Sequence, residues 1–200
     1  MPAAGGCSTS IMQYLAEFDP QALEEYCRLQ YEWADNMTDS LAALAAINDI
    51  QGPVRKALFS DFELRWNDNA LVMDKWFRLQ ATARRDDILK QLEMLMRYPI
   101  FSLRNPNRVR AVIGAFSVDN MPGLHKADGS GYKFIADHVL KLDKLNGQLS
   151  ARLVSCLTRW RRYESKRSAL MRSELERIAQ AQTLSSNLYE VVSKSLAEDK

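Results

Sequence analysis

The chain has 200 residues, of which 46% are hydrophobic and 26% charged, and its formal net charge is +2. This composition is typical of a globular protein with one large or two small domains, and a charge so near zero argues against a nucleic-acid partner. No run approaches the eighteen apolar residues of a membrane span and the N-terminus lacks the features of a signal peptide, so we expect a cytoplasmic protein without a membrane partner.

The first part of the chain predicts no regular structure, and the rest predicts helices. Residues 1–18 are expected to be a disordered or junction segment, because the first ten are small, glycine-containing and aperiodic. Residues 19–200 are expected to form one all-α domain. Helices are predicted from Pro20 onward and then, in chain order, over 36–49, 53–67, 70–81, 86–98, 105–116, 131–145, 148–163, 164–180 and 185–197, with a polar loop over 118–130.

The spacing of these helices predicts the architecture. No segment alternates apolar and polar residues over a sustained length, so strands are not expected. Helices of ten to sixteen residues with brief breaks are typical of repeat arrays, although no sequence repeat of fixed length is visible. The predicted fold is therefore an all-α, solenoid-like array of about ten antiparallel helices, with degenerate ARM/HEAT-like repeats.

The segment NPNRVRAVIGAF, residues 105–116, begins in a way that stability alone does not explain. Asn105 can cap a helix and Pro106 suits its first position. Arg108 and Arg110 then fall in the first turn, where the helix dipole disfavours positive charge. One interpretation is a surface helix with solvated arginines; the other is a spot where backbone N–H groups and guanidinium groups receive an anion.

The residue types that build common catalytic sites are sparse. His125 and His138 are the two histidines, and neither lies in an HExxH motif or a Cys/His cluster, so each is predicted to be structural or solvated. The string DGSGY, residues 128–132, is predicted to be a turn with Ser130 as a helix cap rather than a phosphate cradle. The three cysteines are odd in number without a CxxC pair, which indicates reduced thiols.

Charge is unevenly distributed along the chain. Residues 1–50 hold one basic and eight acidic residues, whereas residues 97–150 and 151–200 each carry a net charge of +4. A solvated, salt-bridged face is the default interpretation of the basic helices over 148–180. Gln148 and Arg152 are four residues apart on one helix face and, with Arg110, could form a cationic, hydrogen-bonding patch that holds a carboxylate.

Several strings occur in the order found in one protein family, and together they cover residues 36–197. From Asn36 the chain resembles the C-terminal helical domain of bacterial aminopeptidase N-type zinc metallopeptidases. The strings are NMTDSLAALAAI (36–47), NALVMDKWFRLQAT (69–82), NPNRVRAVIGAF (105–116), DGSGY (128–132), RRYESKR (161–167) and LYEVVSKSLA (188–197). Residues 20–35 match more loosely.

The resemblance implies a role without catalysis. In that family a catalytic domain carries the GAMEN motif and the HExxH zinc site, and a following all-α domain closes over the active-site chamber. This chain contains neither motif, so we expect no catalytic residues, metal or cofactor here, with zinc in the catalytic domain of the parent enzyme. The implied partners are that catalytic domain and the peptide substrate.

The resemblance also implies which residues bind substrate. Arg110, Gln148 and Arg152 match positions that line the chamber opposite the zinc and receive the C-terminal side of a peptide. Arg108 keeps the interpretation of a solvated arginine. The alternative function is a free-standing helical-repeat module that binds an acidic protein or RNA through its basic helices.

Overall fold

A computed structural model describes residues 19–197. Within that range every regular element is a helix, which confirms the predicted all-α class of successive helices with short connections. Residues 19–197 belong to two compact units, divided between Leu79 and Gln80, which we call the first unit and the second unit. The segment 1–18 lies outside the described residues, and the single domain expected over 19–200 stays a prediction.

The first unit contains four helices, and their bounds agree with the predicted helices to within three residues. They are α1 (Pro20–Trp33), α2 (Met37–Ile47), α3 (Pro53–Trp66) and α4 (Ala70–Ala81), the last of which runs two residues into the second unit. Asp19 caps α1 through the backbone N–H of Ala22. Helix α1 packs against both α2 and α3. The unit closes around buried apolar side chains, which include Leu23, Leu44, Ile47, Phe62, Met73, Trp76 and Phe77.

A buried cation fixes the junction between α2 and α3. Arg55 is 6% exposed, and its Nε and Nη2 donate to the backbone oxygen and the Oδ1 of Asn48, at 2.8 and 3.1 Å. The side-chain amide of Asn48 donates in turn to the carbonyl of Leu79, near the end of α4. The guanidinium also lies over the ring of Phe59, with 4.4 Å between its carbon and the ring centroid. This Arg55 cluster ties the C-terminal ends of two helices to a third.

The second unit contains shorter elements at its start and longer helices at its end. In chain order they are α5 (Ile88–Leu95), α6 (Pro106–Val109), a π-helical turn (Arg110–Gly114), α7 (Ala115–Asp119), α8 (Met121–Leu124), α9 (Ser130–Asp143), α10 (Gly147–Val154), a 3₁₀ turn (Trp160–Arg162), α11 (Ser165–Ala179) and α12 (Ser186–Leu196). Helix α9 packs against α8, α10 and α11, and α12 packs against α10 and α11. The buried side chains include Ile88, Leu92, Phe116, Tyr132, Ile135, Leu142, Met171 and Leu188.

A buried carboxylate joins three of these helices. Asp143, the last residue of α9, is 9% exposed and accepts hydrogen bonds from the Oγ of Ser150 at 2.7 Å and the Oγ of Ser185 at 2.5 Å. Its second oxygen accepts from the backbone N–H of Ser185 at 2.8 Å. Ser150 lies in the first turns of α10, and Ser185 caps α12 through the N–H of Leu188. This Asp143 cluster therefore holds the N-terminal ends of two helices.

Two predicted boundaries in this unit are wrong. The helix expected over 148–163 ends at Val154. Just beyond it, Ser155 Oγ donates to the carbonyl of Ala151 and Thr158 Oγ1 to that of Ser155, and such side-chain bonds compete with the helical ladder.

The loop expected over 118–130 contains helix α8. Asn120 explains it: its side-chain oxygen accepts from the N–H of Gly123, while its amide donates to the carbonyls of Ala81 and Ala83. These bonds are made by a side chain that is fully buried.

Candidate functional site

The segment 105–116 begins as the sequence predicts. The side-chain oxygen of Asn105 accepts from the N–H groups of Asn107 and Arg108, and Pro106 occupies the first helical position. The helix then passes into the π-helical turn, which contains one more residue per hydrogen-bonded ring than an α-helix. Single π turns often lie at functional positions because they change where the following side chains point.

The two arginines of this segment have different environments, and the expectation for Arg108 is wrong. Arg108 is 4% exposed, and its Nε donates to the carbonyl of Ile100 in the preceding loop. A buried guanidinium of this kind organises the loop, which explains why a cation is tolerated in the first turn of a helix. Its position in sequence does not reveal this, since the loop approaches only in the folded chain.

Arg110 is exposed at the start of the π-helical turn. Its Nη1 donates to the side-chain oxygen of Asn107 at 3.1 Å, which is a contact within the same helical segment. Asn107 is also exposed, so this hydrogen bond orients the guanidinium without removing it from solvent. The remaining N–H groups of Arg110 can therefore reach a ligand.

Gln148 and Arg152 both lie on α10, one helical turn apart, and both are exposed. Asn146 caps this helix through the N–H of Leu149, and the apolar side of the helix, including Leu149 and Leu153, is buried. Among the residues from 19 to 197, neither side chain has a hydrogen-bond or ion-pair partner. They present an amide and a guanidinium to solvent on one helix face.

The π-helical turn and α10 approach each other at Gly114 and Leu153. A Cβ atom placed on Gly114, four residues after Arg110, would lie 3.9 Å from the Cδ2 of Leu153, the neighbour of Arg152 in sequence. No hydrogen bond joins Arg110 to Gln148 or to Arg152 among the described residues.

The DGSGY string builds a turn, and its cap differs from the one predicted. Gly129, with a φ of 74°, is the cap residue of α9 in the left-handed region that favours glycine. Ser130 is instead the first helical residue, and the carboxylate of Asp128 accepts from both its N–H and its hydroxyl. A Cβ on Gly131 would lie 2.4 Å from the carbonyl oxygen of Leu124, so this glycine permits α8 and α9 to approach closely.

Both histidines are engaged with other parts of the second unit. The Nδ1 of His125 lies 2.7 Å from the hydroxyl of Tyr132, and the Nδ1 of His138 lies 2.7 Å from the carbonyl of Phe134. Burial lowers the pKa of each imidazole below its usual value. Each histidine therefore has one ring nitrogen engaged inside the second unit.

The part of the chain that the structure describes has no group of three or more His, Cys, Asp or Glu side chains that could hold a metal ion. No helix within residues 20–196 is long and apolar enough to cross a membrane. The thiol of Cys27 is buried and free, and burial raises its pKa to about 11, which makes it a weak nucleophile at neutral pH.

Several cations of the basic stretch are paired. Arg172 contacts Glu176 at 2.8 Å, and Arg177 contacts both Glu174 and Asp137. The surface is thus salt-bridged at these two arginines, and the stretch as a whole keeps a net positive charge.

Comparison with known proteins gives consistent matches along the chain. A family model described as a domain of unknown function, DUF3458_C, with ARM repeats matches residues 7–197. Aminopeptidase N of Haemophilus influenzae is 42% identical over 166 residues, which make up 83% of this chain and 19% of that protein. Aminopeptidase N of Escherichia coli is 40% identical over 186 residues, which make up 93% of this chain and 21% of that protein.

A solved structure matches the same region. The crystal structure of Legionella pneumophila aminopeptidase A in complex with aspartic acid is 34% identical, with a TM-score of 0.86. The match covers 92% of this chain and 22% of that one. The chain therefore spans about one fifth of the length of the relatives it matches.

Proposed function

The chain belongs to the ARM-repeat family that forms the C-terminal helical domain of aminopeptidase N-type enzymes, and on this premise we propose how it serves such an enzyme. It is the domain that encloses the active-site chamber of a zinc aminopeptidase, which removes N-terminal residues from peptides. It contacts the distal part of the peptide and performs no chemistry by itself. Its partners are the catalytic domain of the parent enzyme and the peptide.

The observation that carries this proposal is that Gln148 and Arg152 are both exposed and have no hydrogen-bond or ion-pair partner among residues 19–197. Polar side chains on a helix surface can pair with a neighbour one turn away, as Arg172 and Arg177 do on α11. Gln148 and Arg152 share one face of α10 and have no partner among residues 19–197. A guanidinium beside an amide suits a peptide carboxylate, which accepts two parallel N–H bonds from an arginine.

Arg110 completes the proposed contact from the neighbouring π-helical turn. Its hydrogen bond to Asn107 restricts the guanidinium before the ligand arrives, which lowers the entropy lost on binding. With Arg152 it provides two positive charges against the single negative charge of a peptide C-terminus. This arrangement holds the substrate by its far end while leaving its N-terminus free to reach the catalytic domain.

Zinc belongs to the catalytic domain in this proposal. The described residues do not fit a zinc site, because they contain no cluster of three suitable ligands. In the parent enzyme the metal would activate the water that attacks the peptide bond. This chain contributes binding and exclusion of bulk solvent.

Exposed apolar side chains of the first unit support the proposal that another part of the parent enzyme covers this unit. Trp33, Leu64 and Leu71 are 78%, 75% and 71% exposed, and they lie at the end of α1, the end of α3 and the start of α4. An exposed apolar patch is typical of a protein interface, and we infer that these three side chains belong to one. In the full-length enzyme, hydrogen exchange over residues 60–72 should be slower than in the isolated chain.

The substrate contact is tested in the full-length enzyme with Arg110→Ala, Gln148→Ala and Arg152→Ala. Each arginine variant should raise the KM for a tetrapeptide with a free C-terminus by roughly 10-fold, which corresponds to about 1.4 kcal/mol, with kcat largely unchanged. An aminoacyl anilide has no distal carboxylate, so its KM should stay the same. Lys133→Ala, which removes an exposed cation from α9, is the matched control.

The same tetrapeptide with a C-terminal amide tests whether these side chains bind the carboxylate charge or another part of the peptide. If the variants weaken binding of the acid and the amide equally, these side chains do not receive a carboxylate. Measurable turnover of an aminoacyl anilide by the isolated chain with added zinc would overturn the proposal that the domain is not catalytic.

A further inference from the structure

An open pocket of about 480 Å³ lies within the second unit, and none of the residues of the proposed peptide contact lines it. Phe101, Leu103 and Arg104 line it from the segment between α5 and α6, and His138 and Lys141 line it from the C-terminal half of α9. Leu145 lines it from the turn that follows α9, which ends at Asp143. A spacing of three residues places His138 and Lys141 on one face of that helix.

The pocket combines an apolar lining with positive charge. Phe101, Leu103 and Leu145 provide the apolar surface. Arg104 and Lys141 are exposed, and neither has an ion-pair partner anywhere in residues 19–197. Ligand pockets are commonly lined in this way, with apolar side chains for contact area and a few polar groups for orientation.

His138 adds a third polar group. A carbonyl oxygen can only accept, so the Nδ1 of His138 carries the proton that it donates to Phe134, 2.7 Å away. Nε2 is then the ring nitrogen that remains for a ligand. In the neutral ring it is an acceptor, and after protonation it becomes a donor.

The charges around His138 determine how a bound anion would act on it. Burial lowers the pKa of the imidazole, and Lys141 acts in the same direction, whereas the bond to Phe134 and the carboxylates of Asp137 and Glu93 oppose them. Asp137 is itself paired with Arg177. A carboxylate placed in the pocket would favour the protonated ring and raise this pKa.

We propose that this pocket binds a carboxylate carried on an apolar group, with Arg104 and Lys141 holding the carboxylate and Phe101, Leu103 and Leu145 contacting the apolar part. Charge alone is insufficient here, since exposed cations bind a small bare anion weakly in water. Apolar contact alone is insufficient too, because two cations at an apolar pocket disfavour a neutral ligand that cannot use them. The pocket is independent of Arg110, Gln148 and Arg152, so its test does not depend on the proposed function.

The experiment is an NMR titration of the chain, using the ring signals of its two histidines as reporters. N-acetylphenylalanine is the probe; its amide lacks the charge, acetate lacks the apolar group, and octanoate replaces the peptide-like part with an alkyl chain. The acid should shift the signals of His138 and raise its pKa, while His125 should not respond. Octanoate binding as tightly as N-acetylphenylalanine assigns the pocket to alkyl carboxylates, and weaker octanoate binding assigns it to peptide-like carboxylates.

Variants test the assignment of the cations. Arg104→Gln and Lys141→Gln should each weaken binding of N-acetylphenylalanine by roughly 5- to 10-fold. Lys133→Gln, an exposed lysine of α9 that does not line the pocket, should leave it unchanged. Circular dichroism should show that all three variants keep the helical content of the parent chain, since the three side chains are exposed.

The proposal is overturned by any of three results. The first is the absence of a His138 response to N-acetylphenylalanine at millimolar concentration. The second is equal binding of the acid and its amide, and the third is an equal loss of binding in Lys133→Gln and the two pocket variants.

Discussion

In each unit a buried charged side chain lies where three helices meet, and these two charges have opposite sign. In the first unit Arg55 faces Asn48, which caps the C-terminal end of α2 and reaches the carbonyl of Leu79. In the second unit Asp143 faces the first turns of α10 and the cap of α12. The sign follows from the backbone, because free carbonyl groups collect at C-terminal helix ends and free N–H groups at N-terminal ends.

The comparison shows how an array of short helices fixes its connections. A buried charge is costly unless its hydrogen bonds are made, and helix ends provide several aligned partners at once. Arg161 follows the same rule at the surface, since it donates to the carbonyls of Ser195 and Ala197 at the C-terminal end of α12. The importance of each charge should therefore depend on its burial and on how many backbone groups it satisfies.

The largest effect is expected at Asp143. Asp143→Ala leaves the backbone N–H and the hydroxyl of Ser185 without their acceptor, while the hydroxyl of Ser150 keeps the carbonyl of Gly147 at 2.9 Å. The free energy of unfolding should therefore fall by about 3 kcal/mol. Urea unfolding of the chain measures this change. Asp143→Asn keeps one acceptor oxygen but places an amide beside the N–H of Ser185, and it should recover only part of the loss. If Asp143→Ala were as stable as the parent chain, the Asp143 cluster would not contribute to the free energy of unfolding.

Arg55→Met should have the next largest effect, about 2 kcal/mol, because the apolar stem is replaced while the carbonyl of Asn48 loses its donor. Hydrogen exchange should increase at the end of α2 and in α3, and the second unit should keep its protection. Arg55→Lys retains the charge and loses the two-pronged hydrogen-bonding geometry. Its free energy of unfolding should therefore lie between those of the parent chain and Arg55→Met. If hydrogen-exchange protection were lost in α10 and α12 instead, the assignment of Arg55 to the junction between α2 and α3 would be wrong.

Arg161→Ala should cost about 1 kcal/mol, since this side chain is exposed but satisfies two carbonyls and stacks on Trp160 at 4.2 Å. The measurable consequence is faster hydrogen exchange in the last turn of α12. Arg162→Ala is the matched control, because Arg162 is an exposed neighbour in the same 3₁₀ turn. Similar exchange in the two variants would show that the carbonyl contacts contribute nothing.

The smallest effect is expected for an ion pair whose side chains satisfy no backbone group of a helix end. Glu176 and Arg172 are 45% and 54% exposed and lie four residues apart on α11. Glu176→Gln should change the free energy of unfolding by less than about 0.5 kcal/mol, because solvent screens both charges. If Glu176→Gln lowered the free energy of unfolding as much as Arg161→Ala, these contributions to stability would depend on charge itself rather than on contacts with backbone groups at helix ends.

The candidate site was predictable in part. The positions of Gln148 and Arg152 on one helix face follow from their spacing, and the caps at Asn36 and Asn105 follow from residue type. The roles of Arg110, Gln148 and Arg152 came only from the family resemblance and stay predictions. The pocket of Arg104 and Lys141 had no signal in the sequence, because one of its walls comes from residues 96–104 and the other from residues 138–145.

By itself the sequence determined that the protein is all-α, where most of its helices begin and which family it joins, because periodicity, caps and shared motifs are local properties of the chain. Only the tertiary structure decided which polar residues are buried. Arg108 and Arg110 are two residues apart in the same motif, yet one lies under a loop and the other faces solvent. The physical reason is that burial and hydrogen bonding depend on segments brought close by folding. Nothing in the sequence around Ile100 or Ser185 indicates that the first contacts Arg108 and the second Asp143.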